Sequence, residues 1–265
     1  MKSILITGAY GGMGRETAKL ISSLGYKVFA LDIKAESQED GIIPIQCDIT
    51  SEEAIKNAFE RIKSETDSIN GIIHFAGVYM LDSLVEMESA DFKKIFDINL
   101  NGVYLINKIF LPLLKDDSRI IITTSELAPL DPLPFTGIYA ITKGALDKYA
   151  FSLRMELQLI DIKVSVLRAG AVETNMLGAS TTALEKFCEK TRLYTCNATK
   201  FKAIVNKVEA RNISPSKIAQ KALKILKKRR PKFAYSINRN PLLLMLNLLP
   251  KRIQLWIIRK ILKSK

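Results

Sequence analysis

Tyr139 and Lys143 stand four residues apart, a spacing that puts both on one face of a helix and brings the lysine ammonium beneath the phenol, where it would favour ionisation. A phenol so placed is a general base. The same spacing occurs on ordinary amphipathic helices, so its meaning depends on the surroundings. A second chemical stretch opens the chain: Thr7-Gly8-Ala9-Tyr10-Gly11-Gly12-Met13-Gly14 follows a short apolar run and leads into a helical pattern. In that context the glycines let the backbone approach a pyrophosphate, and the helix N-terminus offers free N–H groups and a favourable dipole. Asp32 lies 18 residues beyond Gly14, where a carboxylate would accept hydrogen bonds from ribose hydroxyls and repel a 2′-phosphate. NAD is therefore expected over NADP, with Arg15 and Lys34 near enough to leave dual use open.

The elements that must hold these residues alternate. Strands are expected at Lys2–Thr7, Lys27–Asp32, Ile42–Cys47, Gly71–Phe75, Arg119–Thr124 and Ile162–Leu167. Helices are expected from Arg15 to Leu24, closed by Gly25, after a capping box at Thr50-Ser51-Glu52-Glu53, from Asn99 to Leu114, and from Gly137 to Ile160. Such alternation implies a parallel sheet covered on both faces, with ligands beyond the carboxyl ends of its strands. From Glu173 to Ile213 the alternation stops. That insertion, with Met176, Leu177, Leu184, Phe187, Tyr194 and Phe201, reads as a substrate lid or as a plain packing subdomain, before Ser214-Pro215 caps another helix.

With these motifs in this order, the chain resembles the classical short-chain dehydrogenase/reductases, most of all the hydroxysteroid dehydrogenase-like ones, over residues 2–238. The family's Thr-Gly-x-x-x-Gly-x-Gly motif matches Thr7, Gly8, Gly12 and Gly14; its acidic residue at the adenine matches Asp48, followed by Ile49; its Asn-Asn-Ala-Gly segment appears as His74-Phe75-Ala76-Gly77. Its helix asparagine matches Asn99, its serine Ser125, and its Tyr-x-x-x-Lys pair Tyr139 and Lys143. The resemblance implies a Rossmann-type doubly wound α/β domain (1–238) and a nicotinamide cofactor. Cofactor contacts are implied at Gly8, Tyr10, Gly12, Met13, Gly14, Asp32, Asp48, Ile49, Ala76, Gly77, Asn99, Tyr139, Lys143, Gly170, Val172 and Thr174. It implies catalysis by Asn99, Ser125, Tyr139 and Lys143, in which Ser125 holds the substrate oxygen, Tyr139 exchanges its proton, Lys143 lowers the phenol pKa and holds the ribose, and Asn99 binds a water leading protons away. Homodimers or homotetramers are implied too. Two departures stand out: His74 and Phe75 replace two asparagines, making His74 a structural substitute, and Ala169 replaces a proline before Gly170.

Composition narrows the classes. The 265 residues are 48% hydrophobic and 25% charged, as in one ordinary globular domain. Cys47, Cys188 and Cys196 follow no metal or disulfide spacing, so free thiols, no metal and a cytoplasmic protein are expected. No signal peptide is expected, and Leu242–Leu249 is far short of the roughly 20 residues of a spanning helix. Residues 214–265 hold 15 of the 40 lysines and arginines and no acidic residue, while the rest of the chain is near neutral. Residues 239–265 read as a basic amphipathic helical extension, with Ile253, Trp256, Ile257 and Ile261 on one face, flanked by Ile258 and Leu262, and Arg252, Arg259 and Lys263 opposite. It suits a peripheral anionic membrane surface, or docking on the body or a partner subunit; a nucleic acid is not expected.

Apolar residues in the loop Leu127–Phe135 point to a lipophilic secondary alcohol or ketone, steroid-like, as substrate. The alternative is a catalytically retired dinucleotide-binding scaffold or sensor tethered to a membrane.

Overall fold

Short runs rich in isoleucine, valine and leucine, each ended by a turn residue, are long enough only for strands, and they form one sheet. A computed structural model describes residues 2–34, 38–209 and 211–263; the side chains of residues 175–181, 196 and 205–209, including Met176, Leu177 and Cys196, lie outside the described set. The strands are β1 (Ser3–Thr7), β2 (Lys27–Asp32), β3 (Ile42–Gln46), β4 (Ile69–His74), β5 (Leu114–Ser125), β6 (Lys163–Ala169) and β7 (Ala234–Ile237). They lie parallel in the order β3-β2-β1-β4-β5-β6-β7, so the winding reverses between β1 and β4. Crevices open at such a reversal.

Alternate residues of each strand serve opposite layers. Leu5, Ile72, Ile120 and Ile122 pack under α2 (Glu52–Glu65), α4 (Gly102–Phe110) and α5 (Gly137–Leu157), where they meet Ile62, Phe110 and Leu146. Ile4, Ile6, Ile73 and Ile121 pack under α1 (Gly12–Ser22) and α8 (Pro215–Lys227), against Ile21, Ile218 and Ile225. Each of these fully buried side chains contributes roughly 1.5–3 kcal/mol through removal from water.

Several boundaries differ from the sequence reading, for local reasons. Helix α2 is capped by Ser51, whose hydroxyl accepts from the Ala54 amide at 3.2 Å, because Thr50 is drawn instead to Asp48 Oδ1 at 2.7 Å. The helix expected from Asn99 starts earlier, as α3 (Ser89–Phe96), passes through a π-turn at Asp97–Asn101 into α4, and ends in a 3₁₀ turn at Leu111–Leu113 containing Pro112. π-turns of this kind reorient one side chain, and here Asn99 sits at the centre. Strand β7 escaped the sequence reading because it is four residues long within basic surroundings; pairing with β6 creates it.

The insertion folds as α6 (Asn175–Lys190) and α7 (Thr195–Glu209). Its turn is fastened to the body by Glu86, which accepts from the Thr191 hydroxyl at 2.6 Å and from the Arg192 and Leu193 amides at 2.9 and 3.2 Å. Phe135, held in the left-handed region at φ 66°, stacks on Phe187, Tyr194 and Phe201 with ring centroids 4.6–5.4 Å apart. A bulky residue stays in that conformation only when its neighbours enforce it, and this aromatic cluster does so. The chain ends in α9 (Pro241–Leu248) and α10 (Lys251–Leu262). No helix among the described residues is long and apolar enough to cross a membrane.

Candidate active site

The carboxyl ends of β1, β4, β5 and β6 border a trench with two halves. One, about 670 Å³, runs over the glycine turn between Asp32, Asp48 and Ile49. The other holds Ser125, Tyr139 and Lys143 at its base and apolar residues at its sides. Met13, Gly77, Tyr79 and Thr174 border both halves, so the two are continuous.

The nucleotide half depends on missing side chains. Gly8 has φ +66°, and a Cβ there would stand 2.5 Å from the Ala76 amide nitrogen; a Cβ on Gly12 would stand 2.7 Å from Thr174 Cγ2. The Tyr10 amide donates to Asp32 Oδ2 at 2.9 Å, which fixes the carboxylate at the cleft edge, and Asp48 is held by the Thr50 amide at 2.9 Å. A backbone cradle at a helix start, with a fixed carboxylate at the end of β2, fits the pyrophosphate and ribose of a dinucleotide. Arg15 is 3.9 Å from Glu39, so part of its charge is already matched, while Lys34 borders the cleft.

Of the sequence-derived cofactor residues, Gly8, Tyr10, Gly12, Met13, Gly14, Asp32, Asp48, Ile49, Ala76 and Gly77 border the nucleotide half, and Tyr139, Lys143, Gly170 and Val172 the other. Asn99 borders neither. It is fully buried, its Oδ1 accepts from the Val78 amide at 2.8 Å, and its Nδ2 donates to the Val78 carbonyl at 3.0 Å and Thr142 Oγ1 at 3.2 Å. With both N–H groups committed, only a lone pair of Oδ1 is left for a water, and the carboxamide's visible work is to tie the loop after β4 to α5.

Helix α5 sets Tyr139 and Lys143 on its inward face. Its register is clamped by Asp147, one turn beyond Lys143, which receives a bidentate Arg168 guanidinium (2.9 and 2.6 Å) and the Thr124 hydroxyl at 3.3 Å. Burial pushes the Tyr139 pKa up to about 12, opposed by the hydrogen bond from Ser125, and burial pushes Lys143 down to about 8. The Lys143 Nζ lies 5.7 Å from the Tyr139 ring centroid and donates to the Thr123 carbonyl at 3.3 Å. Burial therefore outweighs the Ser125 hydrogen bond at the phenol.

Three neighbours escaped the sequence reading. Tyr79 packs on Tyr139 with centroids 4.8 Å apart. Glu126, buried at the trench wall with its pKa raised by burial, accepts from the Asn240 amide at 2.6 Å. Asn238, at φ 56°, donates to the Ala171 and Arg211 carbonyls at 2.8 and 2.7 Å and so stiffens the turn that lacks a proline at Ala169. Only Glu126, next to Ser125, carried any signal in the sequence.

His74 is buried, and its Nε2 meets Asn107 Oδ1 at 2.9 Å while Asn107 Nδ2 donates to the Tyr149 hydroxyl at 3.1 Å. This arrangement puts the proton on Nε2 of a neutral ring. Burial lowers its pKa from 6.5 to about 4. An unfolded chain binds a proton at His74 below pH 6.5, whereas the folded chain resists until about pH 4, so the associated stability is present above 6.5 and lost across that window. The expected loss is about 3 kcal/mol. Urea denaturation across the window should show a steeper acid loss for wild type than for His74→Asn; equal slopes would refute it.

The doubly wound parallel sheet thus carries a glycine cradle at its reversal and a Ser, Tyr and Lys at the adjoining strand ends. A model of the short chain dehydrogenase family matches residues 2–185, and the chain belongs to that family. Its members bind a nicotinamide cofactor and act on small molecules. The chain is 31% identical to estradiol 17-beta-dehydrogenase 2 of Mus musculus over 192 residues, 67% of this chain and 50% of that protein, so it spans about half the length of that relative. Over 246 residues it is 27% identical to a probable short-chain type dehydrogenase/reductase, VdlC, of Helicobacter pylori, covering 91% of this chain and 90% of that one. A short chain dehydrogenase family protein from Francisella tularensis superposes with a TM-score of 0.75 at 22% identity, over 89% of this chain and 97% of the other.

Proposed function

We propose that the protein is an NAD-dependent dehydrogenase of a lipophilic, steroid-like secondary alcohol, or a reductase of the corresponding ketone. The observation that carries this reading is the Ser125–Tyr139–Lys143 group lying where the nucleotide half of the trench meets an apolar half walled by Leu127, Leu133, Phe201 and Ile204. The resemblance to a dehydrogenase named for estradiol supports the substrate class. Homo-oligomers, and peripheral attachment through residues 239–265, belong to the same reading.

When bound, the nicotinamide supplies the hydride acceptor and, in its oxidised form, a positive charge beside the phenol. Ser125 holds the substrate oxygen; its Oγ is itself aimed by accepting from the Leu127 amide at 3.2 Å. Tyr139 takes the hydroxyl proton, and in the reverse direction returns it. Lys143 uses one of its three N–H groups on Thr123, which leaves two for ribose hydroxyls. Asn99 acts as a positioning residue through Val78 and Thr142. The apolar walls exclude water from the reacting carbon.

Steady-state assays with NAD and NADP against steroids, retinoids and simple secondary alcohols test this reading; no turnover with any of them, together with tight NADH binding, would favour a retired scaffold. Asp32→Ser should shift the NAD-to-NADP preference in kcat/KM by at least ~10-fold toward NADP, because the substitution removes a like charge facing a 2′-phosphate. An unchanged ratio would remove Asp32 from cofactor selection.

A further inference from the structure

Helix α9 has two unlike sides. On the inner side Leu243 borders the apolar half of the trench, Asn247 Oδ1 accepts from the Asp131 amide at 2.6 Å, and the helix start is pinned where the Asn240 amide donates to Glu126, the residue after Ser125. On the outer side Leu242 and Met245 are each 64% exposed and Leu248 is 85% exposed. Helix α10 continues the surface. It docks through Gln254, Ile258 and Leu262, and Asn197 and Lys200 of α7 donate to the carbonyls of Leu262 and Lys263 at its end. The edge of the expected amphipathic face therefore packs on the body, while its centre, Ile253, Ile261 and the 60% exposed Trp256, turns outward. Arg252 and Arg259, which the sequence reading put on the opposite face, stand with Lys260 among these, and the Lys260 ammonium lies 4.9 Å from the Trp256 ring centroid.

A row of exposed leucines is costly in water and needs an occupant. Residues 214–265 contain no acidic side chain, so a second copy meeting this face through a two-fold axis would set cation against cation. An anionic bilayer meets both demands: the apolar side chains enter the acyl boundary while the arginines and lysines lie at the phosphates, with the tryptophan at the interface between. The helices have 8 and 12 residues, about 12 and 18 Å long, suited to lying in the surface plane.

We propose that α9 and α10 dock on an anionic bilayer and that α9 forms the threshold between bilayer and active site, so that an uncharged lipophilic substrate passes along it into the trench without crossing bulk water. The proposal rests on the lipophilic reading of the substrate and adds where that substrate resides and how it enters.

Trp256 is the only tryptophan, so its emission reports docking without any assay of turnover. With the full chain, vesicles of phosphatidylcholine and phosphatidylglycerol should shift the emission to the blue, carry the protein into the pellet, and allow quenching by bromine-labelled acyl chains; phosphatidylcholine alone should do far less. Met245→Glu with Leu248→Glu should lower the vesicle-bound fraction at least ~10-fold while NADH binding stays unchanged. The same variant should oxidise a vesicle-dissolved long-chain secondary alcohol at least ~10-fold more slowly than wild type, and cyclohexanol in buffer at the wild-type rate. A chain that stays in the supernatant, or that self-associates through this face instead, overturns the proposal, as does an equal loss on both alcohols. If no alcohol is oxidised, the proposed function falls, and the Trp256 readout still decides the docking.

Discussion

Tyr139→Phe should lower kcat by about 10²–10⁴-fold and leave NADH affinity within about twofold of wild type. The substitution removes one oxygen from a side chain that is otherwise buried between Tyr79 and Ser125, so packing and the Lys143 position are retained. What disappears is the hydroxyl proposed to exchange the substrate proton. Burial raises the phenol pKa to about 12, and phenylalanine keeps the ring but has no proton to exchange. The measurement is a pair: steady-state rates, and NADH fluorescence titration. A Tyr139→Phe enzyme with wild-type kcat would refute the assigned role, and a variant that loses NADH binding would show instead that the ring is part of the nucleotide seat.

Gly14→Ala should be at least as damaging, by a different route. Gly14 lies in the first turn of α1, and a Cβ there would be driven into the Gly8 carbonyl oxygen and to 2.8 Å from Ala9 Cα. The backbone on the other side cannot retreat, because Gly8 is itself held at φ +66° against Phe75 and Ala76 just after β4. Overpacking against backbone costs on the order of 3 kcal/mol and displaces the N–H groups that would face a pyrophosphate. Thermal or urea denaturation should show that loss, and NAD(H) affinity should fall at least ~10²-fold. Gly25→Ala is the control. Unlike Gly14 it sits at positive φ, +80°, and it has open space around its Cβ direction, so it should cost about 1 kcal/mol and leave nucleotide binding intact. Equal effects at the two positions would mean that the clash with Gly8 and Ala9 is not what damages nucleotide binding.

These two residues illustrate different degrees of legibility. The glycine turn could be read from the chain because its constraint is local: a strand, a tight turn and a helix start are contiguous, and the spacing of Gly8, Gly12 and Gly14 encodes them. The strands were legible for a similar reason, since both faces of the sheet are covered and such strands read as nearly continuous apolar runs. The electrostatics of Tyr139 and Lys143 were not. A helix-face spacing says that the two side chains are neighbours, yet whether an ammonium lowers a phenol pKa depends on how much water each loses, and that depends on Tyr79, Thr123 and Ser125 arriving from three other elements. Asn99 gives the same lesson: its place in the motif was visible, but the π-turn that buries it and commits its carboxamide to Val78 and Thr142 was not.

The tail divides along the same line. Its charge and amphipathic period are properties of the chain alone, since they follow from residue type and a 3.6-residue repeat. Which of its apolar residues face the protein is set by the aromatic cluster between α6 and α7, and only there does it emerge that Ile258 and Leu262 pack inward while Trp256 faces out. By itself the sequence determined the parallel α/β sheet, the nucleotide cradle and the family of the Ser125, Tyr139 and Lys143 group, because each is written in contiguous or periodic residues. Only the tertiary structure decided how dry that group is, what holds α5 in register, and that α9 sets Leu243 against the trench on one side while presenting Leu242, Met245 and Leu248 to the exterior on the other, because desolvation and long-range contact have no signature in a single stretch of chain.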